Sequence, residues 1–152
     1  MTGTHKKWVP VFNKTSMIRQ FIKRIFSPRV PQVVDYQPEF KRIEKALDLW
    51  VKEKRYRRCD QSHDEIAREL NTSNKILNFY FSKVLKQDFR TWRTELRVVD
   101  AKILLLERKE LSIQLISEMV GFSDRSNFHR QFTKIVGCSP KQWRESSGKS
   151  SR

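Results

Sequence analysis

The residues most able to do chemistry lie in the segment GFSDRSNFHRQF, at positions 121–132. Arg125, Asn127, His129 and Arg130 stand before and between two phenylalanines that are four positions apart. Histidine can bind a metal or carry a proton, but no cysteine, aspartate or second histidine lies at a helical spacing that would complete a metal site. Arginine and asparagine instead form paired hydrogen bonds with guanine and adenine. The segment therefore favours contact with a nucleic acid over metal binding or catalysis.

The overall charge favours the same class of partner. The net charge of +15 indicates a polyanionic binding partner, either a nucleic acid or an anionic membrane surface. Only four glycines and five prolines interrupt 152 residues, which favours helices over a many-stranded sheet. No apolar run approaches the ~18–20 residues of a membrane span, and we expect no secretory signal. Cys59 and Cys138 lack metal-ligand spacing, so we expect reduced thiols in a cytosolic, cytoplasmic protein without metal, cofactor or enzymatic activity.

The first part of the chain differs from the rest in composition. Residues 1–34 contain no acidic residue, and we place a boundary near Pro38, so that 1–37 form a basic tail or linker. Within residues 17–26, an apolar stripe at helical spacing predicts a short amphipathic helix. The stripe consists of Ile18, Phe21, Ile22, Ile25 and Phe26. Three interpretations stay open: this helix packs on the domain or a partner, lies on a membrane surface, or adds only non-specific attraction to DNA.

From Pro38 onward the pattern is helical almost throughout. Ser62 and Glu65 form a capping box that opens a short helix, and Asn71 can take the left-handed conformation that ends it. A long helix begins near Phe89. Its predicted buried side consists of Trp92, Leu96, Val99, Ile103 and Leu104.

The chain contains an internal repeat. Leu70-Asn71 corresponds to Val120-Gly121, fifty positions later, and the Leu77/Phe81 pair corresponds to Phe128/Phe132, fifty-one positions later. Each copy reads as a helix-turn-helix, with a scaffold helix, a tight turn and a second helix, here called the reader helix. We expect Val84 in the core of the first reader and Ile135 and Val136 in that of the second. The predicted elements are helix-turn-helix motifs at 62–86 and 112–136, a linker helix at 89–108, a final helix at 139–146 and a disordered tail at 147–152.

Two stretches resemble the DNA-binding domain of the AraC/XylS family of bacterial transcription regulators. IQLISEMVGFSDRSNFHRQFTKIVGCSPKQWRE, residues 113–145, resembles the second helix-turn-helix signature of that family, and FRTWRTELRVVDAKILLLE, residues 89–107, resembles its linker helix. The resemblance implies an all-α fold of about seven helices, with two helix-turn-helix subdomains joined by the linker, and DNA-reading second helices. It makes RNA polymerase a candidate partner. Lys86 stands where the family usually has glycine, so the sequence does not define the residue at which the first reader ends.

Helical geometry indicates which side chains the readers present. Residues opposite the buried side of each reader can contact base edges, while cations and free helix N-termini can contact phosphates. The predicted DNA-binding residues are Lys75, Asn78, Phe79, Ser82, Arg125, Ser126, Asn127, His129, Arg130 and Lys134. The predicted phosphate contacts are Ser62, Ser73, Ser112, Lys83, Ser139, Lys141 and Arg144. Phe79 is expected to be exposed, since it aligns with Arg130 in the repeat.

These observations predict a sequence-specific DNA-binding transcription regulator, with its readers in successive major grooves ~34 Å or ~10 bp apart. One chain could then bind an asymmetric site in double-stranded DNA without dimerising, although the sequence leaves the oligomeric state open. The alternative is a basic module that docks on a membrane or partner through residues 17–26, with DNA binding secondary.

Overall fold

The structure is all-α, as the sequence predicts. A computed structural model describes residues 35–146, and every secondary-structure element in that range is helical. Seven α-helices follow one another there: α1 Gln37–Lys52, α2 His63–Glu69, α3 Asn74–Tyr80, α4 Phe89–Glu107, α5 Ile113–Met119, α6 Arg125–Val136 and α7 Pro140–Ser146. A 3-10 turn at Arg55–Arg57 follows α1, and a π-helical stretch at Phe81–Leu85 continues α3. The predicted amphipathic helix at 17–26 and the predicted tail at 147–152 lie outside the described residues.

Side chains at the start of each helix satisfy the free backbone N–H groups there. Ser62 and Glu65 form the predicted capping box of α2. The side chains of Ser73, Asp88 and Asp124 accept hydrogen bonds from the first turns of α3, α4 and α6. These local contacts are why the helices begin where the sequence indicates.

Left-handed residues end the helices at matching places in the two repeats. Asn71, with φ of 53°, corresponds to Gly121, with φ of 93°. Lys86, with φ of 55°, corresponds to Gly137, with φ of 87°. Lys86 therefore adopts the conformation that glycine supplies in the second copy, and the first reader ends there after its π-helical stretch.

Two cores form, and α4 contributes to both. The first core gathers around Ile43, Trp50 and Phe81, and receives Phe89 from the start of α4. The second core gathers Ile116, Phe128 and Phe132 with further residues from α4, namely Val98, Ala101 and Leu105. Within residues 35–146, no helix is both long and apolar enough to cross a bilayer.

Four residues that the sequence assigns to the core are instead exposed. Val99 and Ile103 on α4 are 54% and 47% exposed, and Val84 and Ile135 are also exposed. The reason on α4 is that the two cores contact different sides of the helix. Val99 and Ile103 continue the stripe of Trp92, which faces the first core, whereas the second core lies against the Ala101 side.

A buried carboxylate on α4 holds the turn that follows α1. Asp100 accepts hydrogen bonds from Arg57 Nε at 2.5 Å, Tyr56 Oη at 3.0 Å and Lys54 Nζ at 3.3 Å. Burial raises the pKa of Asp100, but the hydrogen bonds from Arg57 and Tyr56 and the charge of Arg57 outweigh burial and hold the pKa below its usual value. Burial, together with the Asp100 charge, raises the pKa of Tyr56 to about 12. Asp100 is therefore an ionised acceptor at neutral pH.

The same turn contacts both halves of the domain. Arg93 and Arg97 on α4 donate to the backbone oxygens of Tyr56 and Arg58. Burial lowers the pKa of Arg97 to about 10. The Arg97 guanidinium lies 5.7 Å from the ring of Phe122, which belongs to the second helix-turn-helix.

Gly121 brings the second turn against the first half of the domain. A Cβ atom at Gly121 would lie 2.0 Å from the backbone oxygen of Arg57. Only glycine fits this approach, and its positive φ is strained for any other residue.

Replacing Asp100 tests whether this ionised cluster stabilises the fold. We expect Asp100→Asn to lower the free energy of unfolding by about 1.5–3 kcal/mol, the range for hydrogen bonds to charged groups. Because the folded-state pKa of Asp100 is depressed, its contribution is present above the usual carboxyl pKa and is lost as pH falls through the folded value. Urea unfolding at pH 7 and at stepwise lower pH measures both effects.

Glu107→Gln is the matched control, since Glu107 is an exposed carboxylate on the same helix. Equal unfolding midpoints for the two variants at pH 7 would show that Asp100 does not stabilise the fold.

Candidate nucleic-acid interface

The second reader, α6, presents a polar face to solvent. Arg125, Ser126, His129 and Arg130 are all exposed. Asn127 is half-buried, and its side-chain oxygen accepts a hydrogen bond from Arg130 Nη2 at 3.0 Å. This contact orients the guanidinium, which reduces the rotamer entropy that Arg130 would lose on binding a ligand.

The opposite face of α6 is fixed in the second core. Phe128 and Phe132 are fully buried, and the Phe128 ring lies 5.2 Å from Phe122 and 5.6 Å from Phe132. The Asp124 side chain accepts from the backbone N–H of Asn127 and sets the first turn. Each exposed side chain of α6 therefore projects from a well-packed backbone.

The first reader presents a smaller polar face. Lys75, Asn78 and Ser82 are exposed, as predicted from helical geometry. Asn78 and Ser82 line one hollow together with Lys86. Lys75 lines a second hollow farther toward the start of α3.

Phe79 differs from the expectation that it is freely exposed. It is half-buried, and its ring lies 5.0 Å from Tyr36 and 5.7 Å from Phe40. Lys83, a predicted phosphate contact, places its ammonium 5.8 Å from the same ring. The reason is that the start of α1 packs beside the reader, which a repeat alignment cannot reveal. Phe79 therefore has a structural partner, and its position alone no longer indicates a base contact.

The predicted phosphate contacts differ in how free their donors are. The Ser62 hydroxyl and backbone N–H both donate to Glu65 Oε2 at 2.7 Å, so Ser62 has no donor left for a phosphate. Ser73 and Ser112 only accept from backbone N–H groups through their side chains, so their hydroxyl protons stay available. The equivalent of Glu65 in the second copy is Leu115, which removes the competing carboxylate.

The remaining predicted phosphate contacts lie near α7. Ser139 accepts from the backbone N–H of Gln142 at 3.2 Å and keeps its hydroxyl proton. Lys141 is exposed and lies 4.0 Å from Glu145. Arg144 Nε and Nη2 are buried without a hydrogen-bond partner among residues 35–146.

Hollows connect the two readers across the start of α4. One, of about 390 Å³, is lined by Asn78 of the first reader and by His63, Arg90 and Arg93. A cleft of about 240 Å³ then lies between α4 and the second reader, and Lys134 and Arg90 both line it. The sequence prediction did not include Arg90, His63 or Tyr36. Extension of the repeat beyond the readers would have found Arg90, because it aligns with Lys141.

The described residues hold no grouping suited to metal chemistry. Among residues 35–146, no set of three His, Cys, Asp or Glu side chains is placed to bind a metal ion. Cys59 is exposed, Cys138 is half-buried, and both are free thiols. The site therefore consists of hydrogen-bond donors, cations and apolar anchors, which suits binding of a polyanion.

Two reader helices, each anchored on its own core and joined by one linker helix, define a double helix-turn-helix protein. A family model described as "Helix-turn-helix domain" matches residues 66–146. The chain belongs to this family, in its AraC/XylS branch of transcription regulators.

Relatives and solved structures give the same assignment. The Msm operon regulatory protein of Streptococcus mutans is 34% identical over 82 residues, covering 54% of this chain and 29% of the relative. The arabinose operon regulatory protein of Escherichia coli is 33% identical over 79 residues, covering 52% and 27%. The C-terminal domain of AraT, a response regulator from Geobacillus stearothermophilus, has a TM-score of 0.61 and 30% identity, covering 69% of this chain and 84% of that one. The chain thus spans under a third of the length of these curated relatives.

The aromatic contacts of Phe79 predict a cost in stability when its ring is removed. We expect Phe79→Ala to lower the free energy of unfolding by about 1–3 kcal/mol, below the ~3–5 kcal/mol typical of a fully buried phenylalanine. Asn78→Ala, an exposed neighbour, is the control and should stay within about 0.5 kcal/mol of wild type. Denaturant unfolding measures both variants. A Phe79→Ala protein as stable as the control would restore Phe79 as a free surface residue.

Proposed function

We propose that this protein is a sequence-specific DNA-binding transcription regulator. The observation that carries the proposal is the second reader. Arg125, Ser126, His129 and Arg130 are exposed on one face, and Phe128 and Phe132 fix the other. Arginine can bind guanine through two parallel hydrogen bonds, which gives the exposed face a means of reading base edges in the major groove.

The two readers suit successive major grooves on one face of the duplex. Because both pack on α4 through their own cores, one chain carries two readers in a fixed relation. Consecutive grooves repeat every ~34 Å, or ~10 bp. A single chain can then bind an asymmetric site, which makes dimerisation unnecessary for recognition.

The set of proposed contact residues is smaller than the set predicted from the sequence. Base contacts come from Lys75, Asn78 and Ser82 of the first reader and from the polar residues of the second, with Asn127 positioning Arg130. Phosphate contacts come from the free donors and cations, namely Ser73, Ser112, Lys83, Lys134, Ser139 and Lys141. Arg144 leaves the set because its Nε and Nη2 donors are buried. Ser62 leaves the set because its donors are occupied, and Phe79 leaves it because Tyr36 and Phe40 account for its position.

No observation on the described residues favours the alternative of a membrane- or partner-docking module. Its predicted helix, at 17–26, lies outside the range that the structure describes. RNA polymerase as a partner and a cytoplasmic location stay predictions from the sequence.

Selection of bound sequences from a random duplex pool tests the proposed function. We expect a motif of ~15–20 bp, bound at least ~10³-fold more tightly than a scrambled duplex. Affinity should also fall steeply with salt, because bound phosphates release counterions. Equal affinity for selected and scrambled duplexes would rule out sequence-specific recognition.

Repeating the selection with Arg130→Ala tests the role of the second reader. We expect one or two positions of the motif to relax, with a loss of about 1–3 kcal/mol of discrimination at those positions. Lys45→Ala is the control, since Lys45 is an exposed cation on α1, on the side away from the buried Ile43. An unchanged motif for Arg130→Ala would remove this residue from base recognition.

A further inference from the structure

We propose that Arg90, on the linker helix, binds a DNA phosphate between the two readers. This would be a third contact region, which neither helix-turn-helix supplies. The inference rests on the proposed function, because the cleft beside Arg90 meets the duplex when both readers do.

Arg90 lies between the two readers. Arg90 lines the hollow that contains Asn78 of the first reader, and it also lines the cleft that contains Lys134 of the second. A duplex that crosses from one reader to the other therefore passes the side chain of Arg90. Between two successive major grooves, the DNA duplex presents phosphates on either side of a minor groove. A phosphate is therefore the group that Arg90 would meet there.

The Arg90 side chain has no polar partner among the described residues. It is exposed and makes no ion pair or hydrogen bond within residues 35–146. It also stands in the first turn of α4, where the positive end of the helix dipole disfavours a cation. An anionic ligand would explain a cation that is locally unfavourable and has no partner in the described part of the chain.

The internal repeat provides a third, independent argument. Arg90 follows its N-cap, Asp88, by two positions, as Lys141 follows Ser139. Trp92 and Trp143 then align at the same fifty-one-residue spacing that relates the readers. The two copies thus place one exposed cation at the same point after each reader.

Arg90 is the arginine of this cleft, which Gln131 and Lys134 line from the second reader. The Thr91 hydroxyl donates to Asp88, and the Thr94 hydroxyl donates to the backbone oxygen of Arg90. Glu95 is the carboxylate in the lining and would repel a phosphate. We therefore expect a single charge-assisted contact, with Lys134 adding charge from the other wall.

The test measures affinity of the full chain for the selected duplex and for a scrambled duplex of equal composition, from about 50 to 200 mM salt. We expect Arg90→Ala to weaken binding to both duplexes about tenfold at low salt, as for loss of a hydrogen bond to a charged group. The salt slope should decrease by about 0.9, the value for one phosphate contact. Arg90→Lys should retain the slope, and Lys45→Ala should match wild type. Glu95→Gln should bind more tightly than wild type.

Neutral methylphosphonates, placed singly along the centre of the selected duplex, then locate the contact. One position should weaken the wild-type protein about tenfold and leave Arg90→Ala unaffected. Wild-type affinity and salt slope in Arg90→Ala, or equal losses for both proteins at every methylphosphonate, would overturn the proposal.

The two proposals fail in distinguishable ways. If wild type binds both duplexes equally, the sequence-specific function fails, but the effect of Arg90→Ala on the salt slope is still measured on either duplex. If wild type prefers the selected duplex and Arg90→Ala behaves like Lys45→Ala, only the third contact fails.

Discussion

One buried carboxylate fixes the linker helix to the turn that lies between the two helix-turn-helix motifs. Asp100 lies where α4 passes from the first core to the second, and it binds the turn that follows α1 through Lys54, Tyr56 and Arg57. The same turn also lies against Gly121 of the second helix-turn-helix. A buried carboxylate is costly unless it is paired and hydrogen-bonded, so its three donors are required to hold one arrangement. The cluster therefore joins the scaffolds of both readers to one helix.

The two copies share a backbone plan but differ in chemistry. A serine caps the N-terminus of both scaffold helices, and a left-handed residue follows the end of each. The second copy carries an arginine at position 130 where the first carries Phe79, and it carries Leu115 where the first has Glu65. The second reader is thus the more polar surface, and the first is supported by aromatic contacts with the start of α1. We therefore expect the two readers to contribute unequally to DNA recognition.

Local signals in the sequence predicted the elements, and long-range contacts account for what it missed. Caps and left-handed stops involve residues within a few positions of one another, so the sequence predicts the roles of Ser62, Asn71 and Gly121. Periodicity on α4 indicated one buried side, but two cores contact that helix from different directions and leave Val99 exposed. The Asp100 cluster joins residues 43 to 46 positions apart, a distance over which sequence pattern gives no pairing. The exposed residues of α6 followed from helical geometry, whereas the contact of Phe79 with Tyr36 required the packing of α1.

The turn that contacts both halves also affects which DNA spacings the protein can accept. A flexible tether would let the second reader search for its groove at many separations, with a modest effective concentration at each. Packing through Arg97 and Gly121 restricts the second reader to one geometry, which raises its effective concentration there. One inserted base pair would rotate the second site by about 35° around the duplex axis. Under the proposed function, the length of DNA between two short sequences would therefore be part of what the domain recognises.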